Sequence, residues 1–195
     1  MDLSAAKDLI LAKLERDLPP KRTYHSKAHT WDVYLTAIDI AAKEGVGGED
    51  LVLLKTAALF HDIGFTEQDQ EHEEASCRIA RRELPALGYR TTQIEHICRM
   101  IMATKIPQSP TDRLSNILCD ADLDYLGRDD FFRIGERLLA EFRAYKVLQT
   151  DREWNELQVR FLNKHQFFTD TNKRDREPQK QLHLALVERW LKDNP

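Results

Sequence analysis

The stretch Ala58-Leu59-Phe60-His61-Asp62-Ile63-Gly64-Phe65 sets two strong metal ligands side by side at the end of an apolar run. Histidine is a common ligand of divalent cations, and a carboxylate adds charge and hardness. Burying such a pair costs free energy unless something compensates, and a metal ion does so. Residues 51–65 read as a strongly apolar and therefore central helix. Upstream, the stripe Leu3, Leu9, Ile10 and Leu14 marks a helix ending before Pro19-Pro20, and a second helix runs from near Ser26 to Gly45. Downstream, residues 76–84, 114–126, 130–148 and 179–192 carry helical periodicity. Thr92-Gln93-Ile94-Glu95 and Thr150-Asp151-Arg152-Glu153 read as capping boxes, the first opening a helix through Met102. No segment alternates as a strand does. The pattern predicts an all-α bundle of about eight or nine helices.

A chain of 195 residues suits a single domain with a disulfide-free core. Its 42% hydrophobic and 32% charged content is that of a soluble globular protein. A net charge of −4 gives no electrostatic case for binding a nucleic-acid duplex. Cys77, Cys98 and Cys119 lie about 20 residues apart without CxxC spacing, which favours inert reduced thiols. No stretch approaches the ~20 apolar residues of a membrane span, and the first residues lack the basic start and apolar region of a signal peptide. The expectation is a cytoplasmic protein without membrane attachment. Trp31, Trp154 and Trp190 fall at helical spacings and read as packing residues.

Four places carry ligand-type residues. His25 and His29 are four apart, so on a helix they share a face, unless His25 sits just before the helix starts. His61-Asp62 is the second place and His72 the third. The fourth is Asp120-Ala121-Asp122-Leu123-Asp124, set between apolar residues, where unpaired buried carboxylates are expensive and carboxylates on a cation are not.

These segments resemble the HD-domain metal-dependent phosphohydrolases, in which a histidine, a His-Asp pair and a distant aspartate come from different helices. Tyr24-His25 leading to His29, Phe60-His61-Asp62-Ile63-Gly64, and Ala121-Asp122-Leu123 before Leu126-Gly127 are similar to the family's three motifs, in order. The resemblance implies a single HD domain over residues 1–195, with a metal-site core at about 24–132 and a helical extension at about 133–195. It implies that His29, His61, Asp62 and Asp122 bind one divalent ion, with Mn²⁺, Fe²⁺, Ni²⁺, Co²⁺ or Mg²⁺ suiting the mixed N/O donors. The expected reaction is hydrolysis of a nucleotide or other small phosphate ester by a metal-activated water, which Asp62 positions. A homodimer is compatible with this reading.

In cyclic-nucleotide phosphodiesterases, which share the family's core, the first histidine of a similar Tyr-His motif protonates the leaving oxygen. The resemblance implies that role for His25. The bland alternative is a histidine that orients a ligand. His72 is similar to the first of two extra histidines in binuclear members, but no second one follows Met102-Ala103-Thr104-Lys105. That leaves His72 to contact phosphate or water, or to be a surface residue. His96 reads as structural or surface. Lys105 either reaches a phosphate as a point charge or complements a helix dipole. Some HD nucleotidases place an acid where Phe65 stands, so Glu73 or Asp69 inherits the task of orienting water. The segment 164–180, with Lys173 and Arg174, either closes over the site to hold phosphate or is a solvated charge run. Two rivals to the mononuclear hydrolase follow: a binuclear phosphodiesterase or oxygenase, and a non-catalytic nucleotide-binding regulatory module.

Overall fold

Ser26 and Asp112 each fix the start of a helix that delivers a ligand-type side chain. The Ser26 hydroxyl accepts from the His29 amide at 3.5 Å, and Asp112 Oδ1 accepts from the Ser115 amide at 2.8 Å, partnering donors that a helix start leaves free. The computed structural model describes residues 1–195 and contains only helices and their connections. The helices are α1 (Leu3–Asp17), α2 (Lys27–Lys43), α3 (Gly48–Phe60), α4 (His72–Glu83), α5 (Thr91–Ala103), α6 (Arg113–Asp122), α7 (Phe131–Ala144), α8 (Asp151–Lys164), α9 (Asp170–Asp175) and α10 (Glu177–Asp193). The bundle thus agrees with the predicted all-α class. Its extra helix, α9, lies inside the segment read as a basic run.

Two expected helices are shorter than their apolar patterns. α3 stops at Phe60, and residues 63–66 form a tight 3₁₀ turn. The Ser76 hydroxyl donates to the His61 carbonyl and accepts from the Gly64 amide, both at 2.8 Å, so α4 pairs groups that a longer helix would pair internally. α6 likewise ends at Asp122, before a 3₁₀ turn over 124–127. The first capping device is also displaced: α5 starts at Thr91, and the Gln93 side chain accepts from the Arg90 amide at 2.7 Å. The box at Thr150 and Glu153 forms as predicted.

Helices α1 to α6 share one core of 29 buried residues, including Ile10, Phe60, Ile79, Ile97 and Leu118. Tyr24, Leu123 and residues from 125 to 187 form a second core of nine, centred on Phe131, Phe167 and Val187. Asp122 and Leu123 lie at the seam. His61, Asp62 and Tyr24 are buried along it. Trp31 is a correction to the packing role: it is 38% exposed, and its ring stacks on Tyr34 at 5.0 Å. All three cysteines are buried free thiols.

Gly64 is required by close approach. A Cβ there would lie 1.9 Å from the His72 carbonyl oxygen. Gly64→Ala must therefore push the start of α4 away from the His61-Asp62 turn. We expect it to cost about 2–4 kcal/mol, or a fall of about 5–15 °C in Tm. Thermal unfolding checks this, and an unchanged Tm would refute the close contact.

Candidate metal centre

His29 stands on the first turn of α2, His61 and Asp62 follow the last turn of α3, and Asp122 ends α6. His29 Nε2 lies 3.3 Å from His61 Nε2, 3.4 Å from Asp62 Oδ2 and 3.2 Å from Asp122 Oδ1. His61 Nε2 lies 3.2 Å from Asp62 Oδ2 and 3.5 Å from Asp122 Oδ1. Donors about 2.1 Å from one ion stand about 3.0 Å apart at a right angle and about 3.4 Å apart at the tetrahedral angle. His29, His61 and Asp122 each offer a donor atom within 4.8 Å of the others, spacing that a shared cation allows, and Asp62 Oδ2 lies beside both histidines.

Two further observations fit an ion. His61 Nδ1 donates to the Ala58 carbonyl at 2.8 Å, which puts the free lone pair on Nε2, facing the cluster. Asp62 Oδ2 is buried with no hydrogen-bond partner. The electrostatics agree. Burial works against a charge on His29, but Asp122 and Asp62 outweigh it and push its pKa up to about 9. His61 is raised in the same way. Burial alone would raise both carboxyls, yet the imidazoles hold Asp62 well below the usual range and Asp122 at about 2. Two carboxylates at this depth demand positive charge, which a divalent ion would supply with the imidazoles neutral.

His25 sits before α2, in the turn that Ser26 ends. Its Nδ1 donates to Glu141 Oε1 at 2.6 Å. Glu141, fully buried on α7, also accepts from the Tyr24 and His25 amides and from Arg22 at 2.6 Å. His72 stacks on Phe65 with ring centroids 3.8 Å apart, and its Nε2 is 3.4 Å from both Asp62 Oδ1 and Glu73 Oε1. His25, Asp62, His72, Glu73 and Asp122 line one cavity of about 340 Å³.

Other expected residues stand elsewhere. Lys105 pairs with Glu74 at 3.0 Å and does not line that cavity. Lys173 and Arg174, on α9, are mostly exposed and pair with Asp170 and Asp175. Asp69 binds Arg22 at 2.7 Å and is over half exposed, so Glu73 is the acid beside the site. His96 pairs with Asp112 at 3.0 Å, a structural contact. The aspartate cluster divides. Asp122 joins the histidines, while Asp120 accepts from the Phe168 and Thr169 amides and the Thr169 hydroxyl at 2.6–2.8 Å. Asp124 accepts from Asn172 at 3.0 Å and Arg176 at 2.8 Å. The two flanking aspartates thus anchor α9. Burial still pushes Asp120 up to about 6. Lys180, in the segment read as a solvated run or closing element, is buried and donates to the His165 carbonyl at 2.7 Å.

Sequence reasoning missed Glu141, Ser76 and the structural need for Gly64. Glu141 did carry a signal, since it continues the helical stripe Ile134-Leu138 as an acid on an apolar face.

The model of the HD domain matches residues 27–124, about half the chain and inclusive of all four donors. No curated protein matches significantly. Two solved structures share the fold. A predicted HD superfamily hydrolase from an uncultured Thermotogales bacterium is 22% identical with a TM-score of 0.63, covering 98% of this chain and 92% of that one. YpgQ of Bacillus subtilis, solved in complex with ADP, is 21% identical with a TM-score of 0.64, covering 97% and 98%. With its motifs, its helical bundle and the family match in agreement, this chain belongs to the HD-domain family.

Proposed function

We propose that this protein is a metal-dependent phosphohydrolase acting on a small phosphate ester. The observation that carries the reading is the convergence of His29, His61 and Asp122, with Asp62 Oδ2 buried and unpartnered beside the two histidines. A divalent ion held there supplies Lewis acidity toward a phosphoryl oxygen and acidifies water. Nucleotides are the first substrates to test, because the similar YpgQ was solved with ADP.

The chain's own residues divide the remaining work. Asp62 directs Oδ2 at the ligand histidines and Oδ1 at His72, so it couples the ion to the cavity. Glu73 and His72 place an acceptor and an imidazole where a water approaching phosphorus is oriented. His25 donates Nδ1–H to Glu141, which fixes the orientation of the ring beside the cavity. The other ring nitrogen gives its proton to the ester oxygen as the phosphorus–oxygen bond breaks, so the alcohol leaves neutral. The regulatory-module alternative predicts binding without turnover.

Phosphate release from nucleoside mono-, di- and triphosphates, cyclic nucleotides and simple esters, with Mn²⁺, Ni²⁺, Co²⁺ or Mg²⁺, tests the reading. Removing metal with a chelator is expected to abolish release and added metal to restore it. No release from any ester with any metal would overturn it. His25→Gln is expected to lower kcat for alkyl esters about 10²–10³-fold. It should spare p-nitrophenyl phosphate, whose leaving group needs no proton. Equal losses on both substrates would remove His25 as the acid.

One contact favours a second reading. His72 Nε2 lies 3.4 Å from Asp62 Oδ1 and 3.4 Å from Glu73 Oε1, so His72 stands where it could join Asp62 in holding a second ion. Metal analysis giving two equivalents per chain, falling to one in Glu73→Gln, would support it.

A further inference from the structure

The cavity beside the metal ligands has two unlike ends. Its polar lining is concentrated at His25, Asp62, His72, Glu73, Thr104 and Asp122. Beyond them the wall is built from the second core and α7–α8, including Leu126, Phe131, Leu138, Phe142, Trp154 and Leu157, with Gln158 and the hydroxyls of Tyr24 and Tyr125 as its polar groups. Twelve of the nineteen lining residues are hydrophobic, and none is lysine or arginine. Arg160 and Lys164 line the adjoining groove that shares Ile106, Leu157 and Phe161, and Arg137 lines the groove beside His29, but none of them lines this cavity. Arg22 is bound by Glu141 and Asp69, Arg128 by Asp32 and Asp130, and Lys105 by Glu74.

A nucleoside di- or triphosphate brings several charges, and sites that hold such groups supply arginine or lysine forks for them. No such fork lines this cavity, so an ion at the ligand cluster would be the charge that meets a phosphoryl group there. Water in so apolar a chamber has few partners, whereas a carbon body displaces it favourably. On the hydrolase reading above, we propose that the substrate is a monophosphate ester of an apolar alcohol, its phosphoryl group at the His29–His61–Asp62–Asp122 cluster and its hydrocarbon body in the chamber walled by Leu138, Phe142 and Leu157. Its size is right, since 340 Å³ lies within the range of small-ligand pockets.

Calorimetric titration of Mn²⁺-loaded protein with non-hydrolysable n-alkylphosphonates tests this without relying on turnover. Each methylene buried is worth about a fourfold gain in affinity, so binding should tighten on the order of 100-fold from ethyl- to hexylphosphonate. ADP should bind more weakly than hexylphosphonate. Leu157→Gln and Leu138→Gln, at half-buried positions on the wall, should each weaken hexylphosphonate about tenfold and leave methylphosphonate unchanged. Affinity that stays flat with chain length, or ADP binding more tightly than hexylphosphonate, would overturn the proposal. Phosphate release from hexyl phosphate decides the hydrolase reading separately. Chain-length-dependent binding without release removes that reading and leaves recognition of an apolar ester standing.

Discussion

Asp62→Ala is expected to weaken divalent-metal binding by at least ~100-fold and to lower phosphate release by about 10³-fold. The size follows from its position. Asp62 Oδ2 stands 3.2 Å from His61 Nε2 and 3.4 Å from His29 Nε2, while Oδ1 faces His72. Removing it takes away one donor, half the negative charge that attracts the ion, and the link to the cavity. Lewis-acid stabilisation is worth several kcal/mol of barrier, and each ~1.4 kcal/mol is tenfold in rate. Equilibrium dialysis and a phosphate-release assay on the same preparation check both numbers. Wild-type metal binding and turnover in Asp62→Ala would show that the assigned ligand set is wrong.

The second large effect is at Glu141. Its carboxylate is fully buried and accepts from two amides, the His25 ring and Arg22. Glu141→Ala leaves all four donors without that partner, and one of them is a guanidinium. Breaking a buried charged pair from one side typically costs about 3–5 kcal/mol, which for a chain of this length is a fall in Tm of about 6–20 °C. The loss is pH-dependent with a definite sign. Burial favours the neutral acid, but His25, Arg22 and the Tyr24 amide outweigh it and lower the carboxyl from 4.5 to about 2. A depressed acid stabilises the fold fully above its ordinary pKa and loses that contribution as pH falls toward 2. Wild type and Glu141→Gln should therefore differ most in Tm near neutral pH and converge toward pH 3. A constant difference across that range would mean that the charge on Glu141 is not what holds the turn.

The parts of this molecule that were legible in the sequence are those set by local pattern. Apolar periodicity announced the helices, and Thr150-Asp151-Arg152-Glu153 announced a cap, because both depend on neighbours within one turn. His61-Asp62 and Asp122 stood out because they interrupt apolar runs, and the structure brings His61 and Asp122 together with His29. What failed to show was set by packing between distant segments. α3 and α6 end short of their apolar patterns because Ser76 and the seam between the cores override the local signal. Asp120 and Asp124 look equivalent to Asp122 in sequence, yet their partners, Thr169 and Arg176, lie some 50 residues away. Lys180 looks like surface charge until α9 and His165 are laid over it. Glu141 is the same kind of case, since its meaning depends on a turn 116 residues earlier.

A hydrolase of this kind requires one ion bound by four named atoms, and anomalous diffraction from a crystal soaked in Mn²⁺ tests that most directly. The expected result is a peak about 2.0–2.3 Å from His29 Nε2, His61 Nε2, Asp62 Oδ2 and Asp122 Oδ1. A fully soaked crystal with no peak among those atoms, or with its ion held by other residues, would contradict the metal centre and the hydrolase built on it.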